Sequence, residues 1–77
     1  MHDWLEDKAT KLAAATGDDR AVFELTADEQ RALLELARVA AHESGARINA
    51  PLVTFLAGVA CGRHPDRPLA DLLSELG

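Results

Sequence analysis

The sequence predicts an all-α fold, a compact four-helix domain built around a central buried apolar third helix, and three observations lead there. The apolar set is dominated by 15 Ala and 12 Leu, against four Val, one Ile, two Phe and one Trp. Strong helix formers are therefore abundant, while the β-branched and aromatic residues that favour strands are scarce. Apolar residues recur at spacings of three and four rather than alternating. Capping residues, Gly and Pro fall between those runs, where helices start and stop.

The 77 residues form one domain, 1–77, with 48% apolar and 27% charged residues. That is too apolar a composition for a disordered segment. A chain of this size buries only about 60% of its unfolded surface, which argues against a catalytic cleft of ordinary size. Alanine adds little buried area, so a homodimer is expected as a means of burying more.

Asp3, with Glu6 three residues on, reads as the N-cap of a first helix placing Trp4, Leu5, Ala9, Leu12 and Ala13 near one face and ending at Gly17. Gly17 to Leu25 reads as a loop pinned to the core by Val22, Phe23 and Leu25. Thr26-Ala27-Asp28-Glu29 is a capping box, in which hydroxyl and carboxylate satisfy two orphan amides reciprocally. In the second helix, Leu33, Leu36, Ala37, Ala40 and Ala41 form the inner stripe. Asp28, Arg31, Glu35, Arg38 and His42 form the outer one, and Ser44-Gly45 ends the helix.

The third helix, Pro51 to Gly62, carries no charge and is apolar all round, which predicts the most buried element. Leu52, Phe55, Leu56 and Val59 make a bulky side, and Thr54, Ala57, Gly58 and Cys61 a small side suited to close approach by another backbone. Pro65-Asp66-Arg67-Pro68 is a rigid connection to a short fourth helix with Leu69, Leu72, Leu73 and Leu76 on one face.

Chemistry-bearing patterns are few. Cys61 is alone, so it forms no internal disulfide and joins no second thiol in a zinc knuckle. His2, His42 and His64 have neither HxxxH nor HExxH spacing, and no metal or cofactor is expected. Asp18-Asp19 and Asp28-Glu29 lie in or beside helix starts and are expected to be solvated, and no nucleophile has an adjacent base. The expectation is a protein that is not an enzyme.

Thirteen acidic residues against eight basic ones argue against nucleic acid, which demands a clustered basic face. The Met1-His2-Asp3-Trp4 start resembles no leader, and the apolar run Ala50 to Gly62 is too short to cross a bilayer. A cytoplasmic protein without membrane attachment is expected.

Three familiar small helical folds fail on chemistry. The third helix offers a helix-turn-helix reader nothing that reaches a base. Neither Ser44 nor Ser74 has the Asp-Ser-Leu context of an acyl carrier, and no segment supplies the alternating acidic loop of a calcium hand. The sharpest ligand site the sequence allows is an anion pocket of Arg38, His42, Arg47 and Thr54 around the start of the third helix. Free amides and the positive dipole end would hold a carboxylate or phosphate there.

The run Leu36-Ala37-Arg38-Val39-Ala40-Ala41-His42, a short linker, and then Ala50-Pro51-Leu52-Val53-Thr54-Phe55-Leu56-Ala57-Gly58-Val59-Ala60-Cys61-Gly62-Arg63 resembles a small actinobacterial domain of unknown function. Trp4-Leu5 fits the same resemblance. Members of that family occur alone or attached to molybdenum cofactor guanylyltransferase-like proteins of molybdopterin-guanine dinucleotide biosynthesis. The resemblance therefore implies a guanylyltransferase-like partner and supplies no activity. Two function classes follow: a non-enzymatic accessory or protein-interaction domain, and, as the alternative, a small anionic-ligand binder using Arg38, His42, Arg47 and Thr54.

Overall fold

A computed structural model describes residues 3–76. The described residues form α1 (Asp3–Thr16), a 3₁₀ turn (Arg20–Phe23), α2 (Ala27–Ser44), α3 (Asn49–Arg63) and α4 (Leu69–Ser74), with no strand among them. The all-α, four-helix expectation holds. What differs is how the helices share their apolar faces.

The organising element is α2, whose ends behave as the local sequence dictates. Thr26 Oγ1 accepts from the Glu29 amide at 3.1 Å, while the Thr26 amide donates to Glu29 Oε1 at 2.8 Å. This closes the capping box and fixes where the helix begins. At the other end Gly45 takes φ 71°, a left-handed conformation that lets the chain leave the helix without a Cβ clash. Leu33, Leu36, Ala37, Ala40 and Ala41 of α2 are all half-buried, and Asp28, Arg31, Glu35, Arg38 and His42 are all exposed. The two stripes thus fall on the predicted sides.

α3 lies along α2, and the short α4 rests on both through the half-buried Leu69, Leu72 and Leu73. Leu76, the fourth member of that predicted face, lies beyond α4 and is 52% exposed.

α1 follows a different course. Among the described elements it packs only against the 3₁₀ turn. The segment predicted as a loop therefore contains a structured turn, capped by Asp19, whose side chain accepts from the Ala21 amide at 2.9 Å. Arg20 then ties the turn back to α1. Its Nη2 donates to Glu6 Oε2 at 2.7 Å and to the Glu6 carbonyl at 3.4 Å, and its Nε donates to Thr10 Oγ1 at 3.1 Å. Ala9 and Ala13 are buried, but Trp4, Leu5 and Leu12 of the same predicted face are exposed, and so is Val22 of the turn. Asp3 is the first helical residue of α1 rather than its cap; His2, at the position before it, lies outside the described residues.

The expectation of a central buried third helix is overturned. In α3 only Ala57 is buried, while Phe55 is 70%, Leu56 64%, Leu52 58% and Val59 42% exposed. The reason is arithmetic on helix faces: α2 and α4 cover one side, and α1, which would have covered the other, stands on the 3₁₀ turn instead. The radius of gyration of 13.0 Å is that of a folded chain of about 100 residues.

The close approach expected at Gly58 is also absent, since a Cβ built there meets nothing within 4 Å. Glycine at that position costs helix propensity without allowing any contact in return. Gly58→Ala should therefore stabilise the fold by about 0.5–1 kcal/mol and raise the thermal midpoint by several degrees. A lowered midpoint in a thermal melt would mean that another backbone does occupy the space beside Gly58.

Candidate functional site

α3 presents three different sides, and sequence spacing decides which residues each side holds. Val53, Ala57 and Ala60 line the side toward α4 together with Leu72, and Leu56 borders that side as well. Thr54, Gly58 and Cys61 line a groove of about 670 Å³ that runs between Leu33 of α2 and the Pro65–Pro68 connection. Leu52, Phe55, Leu56 and Val59 form the outer side, and Ile48, one turn before Leu52, extends it at 70% exposure. From Ile48 to Gly62 no side chain is charged, so this outer side is a continuous apolar stripe with Arg47 and Arg63 at its two ends. Contiguous exposed apolar side chains of this kind are uncommon on small folded domains.

The groove has walls and little chemistry. Its polar side chains include the carboxylates of Glu24, Glu29 and Asp66, and Glu29 is already engaged in the capping box. Thr54 Oγ1 donates to its own helix at the Ala50 carbonyl, 2.7 Å away. Cys61 is half-buried with a free thiol. Among the described residues no three His, Cys, Asp or Glu side chains come close enough together to hold a metal ion.

The four residues predicted to surround an anion take up separate occupations. Arg38 is bound to Glu35 by a forked pair, Nη2 to Oε1 at 2.6 Å and Nε to Oε2 at 3.1 Å, both side chains well exposed. His42 and Arg47 are exposed, and Thr54 faces the groove. The start of α3 has few amides to offer. Those of Asn49 and Ala50 donate to the carbonyls of Ala46 and Arg47, both at 3.1 Å, and Pro51 has none. A helix start binds anions through free N–H groups, and here the preceding turn uses them.

The remaining electrostatics are those of a solvated surface. Lys11 pairs with Asp7, Arg20 with Glu6, Arg31 with Asp28 and Arg38 with Glu35, so the basic side chains are dispersed among acids. Lys8 Nζ sits 5.2 Å from the centre of the Trp4 ring, a cation–π contact.

The hydrogen bonds from Arg38, followed by its charge, hold the Glu35 carboxyl below its ordinary value, and Glu35 in turn raises Arg38. The sign of the linkage follows. The pair adds its small stabilisation above the ordinary carboxylate range and loses it as pH falls through the lowered folded value. Followed by side-chain NMR, Glu35 should titrate at a lower pH in the wild type than in Arg38→Gln. Identical curves would show that the fork does not persist in solution.

The sequence shows the bulky stripe, and its lack of charge points to the interior. The signal that would have placed it outside is the scarcity of covering residues elsewhere, because the alanine-rich helices leave too few large side chains to enclose it. Comparison with known proteins adds a family: the one described as Domain of unknown function (DUF6457) matches residues 1–76. No curated protein and no solved structure matches the chain.

Proposed function

The chain belongs to the DUF6457 family, and from that premise we propose that it is a non-enzymatic accessory or protein-interaction domain whose docking element is the outer side of α3. One observation carries this reading. Four large apolar side chains, Leu52, Phe55, Leu56 and Val59, stand 42–70% exposed in a single stripe, on a helix whose length from Asn49 to Gly62 bears no charge. Water penalises such a surface, and a partner that covers it removes the penalty.

The absence of an enzymatic role is supported by the solvated carboxylates and by a groove whose threonine is bonded to its own helix. The dispersal of Arg20, Arg31 and Arg38 among carboxylates supports a partner other than nucleic acid. No helix among the described residues is long and apolar enough to cross a membrane, which accords with the cytoplasmic site of action we propose. The anion-binding alternative, with Arg38, His42, Arg47 and Thr54, draws less support because the amides of Asn49 and Ala50 are engaged.

The resemblance to domains attached to molybdenum cofactor guanylyltransferase-like proteins makes such a protein the hetero-partner to try. Titrated with it, the domain should show shifts concentrated in the amides of residues 48–59. Phe55→Glu should weaken the association at least tenfold while helical content stays unchanged, since Phe55 is an exposed side chain. Association untouched by Phe55→Glu would remove α3 as the docking element, and no association at all would remove the link to the cofactor pathway.

A further inference from the structure

We propose that the occupant of the α3 stripe is a second copy of this chain, and that two copies exchange contacts reciprocally, α1 of each lying on α3 of the other. The proposal rests on the reading of α3 as a docking surface and names its partner.

The area is the first argument. The chain exposes 5883 Å², whereas a folded monomer of 8.2 kDa exposes roughly 4,500 Å². The surplus exceeds the roughly 800 Å² that each partner contributes to a standard stable interface. The outer side of α3, with Ile48, leaves on the order of 550 Å² bare, which is too little alone. Trp4, Leu5 and Leu12 of α1 add roughly 300 Å², and together the two faces reach the required size.

Shape and charge then select the pairing. α1 has 14 residues and α3 has 15, so the two are about 21 and 22 Å long and can lie side by side without overhang. Within one copy they do not pack on each other, and a second copy supplies to each what its own chain does not. At a net charge of −5, two copies repel over most of their surfaces, and residues 44–65, which hold α3, are the longest stretch without an acidic side chain. Asp3 and Asp7 stand toward the start of α1, while Arg47 and Arg63 flank α3 at both ends. Either direction of α1 along α3 brings Asp3 toward one of these arginines, while Asp7 stays paired with Lys11 and Lys8 stays over the Trp4 ring. Pairing α3 antiparallel with itself would instead set Arg47 beside Arg63 of the second copy and leave the α1 face bare. A two-fold axis makes the α1–α3 contact twice, which closes the assembly as a dimer.

The reciprocal geometry has a signature that no other arrangement shares. Trp4→Glu and Phe55→Glu each place a charge in both contacts, so each variant alone should weaken dimerisation by about 100-fold or more. An equal mixture of the two should regain dimer, because one of its two contacts is wholly wild type. Sedimentation equilibrium reads this directly, with circular dichroism showing that helical content is kept. The emission of Trp4, the chain's one tryptophan, should shift to the red as the wild-type dimer is diluted.

Dimerisation of Trp4→Glu at wild-type strength, or a mixture that stays monomeric, would overturn the exchange. A wild type that is monomeric at sub-millimolar concentration would overturn self-association itself. Footprinting of Phe55 in that monomer then separates the two readings: a labelled ring leaves α3 as a docking surface for another protein, and a protected ring overturns both.

Discussion

An alanine-rich helical chain of this length has too few large side chains on too few helices to surround all of them, and most features of the structure follow from that shortage. Among the described residues, the buried ones are Ala9, Ala13 and Ala57, the smallest apolar side chains that a helix can offer. Alanine lets helix backbones come close, yet each buried alanine removes little surface from water. The packing of α3 and α4 on α2 therefore consumes helix faces quickly and leaves leucines and a phenylalanine outside. The association proposed for α3 would be the consequence of this unfinished core.

The local and tertiary levels were unequally legible in the sequence. Thr26 and Glu29 announce the start of α2 because a capping box is a reciprocal pair of side-chain-to-amide bonds, made within four residues and needing nothing from the rest of the fold. Gly45 announces its end for a similarly local reason. The inner and outer stripes of α2 also fell where spacing put them, since a charged side and an apolar side leave a helix one way to face.

α3 gave no such instruction. A helix without charge can be buried by its own chain or by another, and periodicity does not distinguish the two. What decides is whether α1 reaches it, and that depends on the segment between them. Asp19 capping the 3₁₀ turn and Arg20 gripping Glu6 and Thr10 hold α1 against that turn. Arg20 was legible as a charge, but its partners lie ten and fourteen residues away, beyond the reach of a local pattern. The anion pocket draws less support for a related reason: the sequence shows a helix start but not the turn over Ala46–Ala50 that engages the amides of Asn49 and Ala50.

The central claim, that one chain does not complete its own core, is tested most directly by the dependence of thermal stability on protein concentration. If a second copy covers the apolar faces, folding and association are linked, and the wild-type midpoint should climb by about 5–10 °C over a hundredfold rise in concentration. Phe55→Glu should show a lower midpoint that does not move with concentration. A wild-type midpoint that stays fixed over that range, and that Phe55→Glu leaves unchanged, would contradict the account.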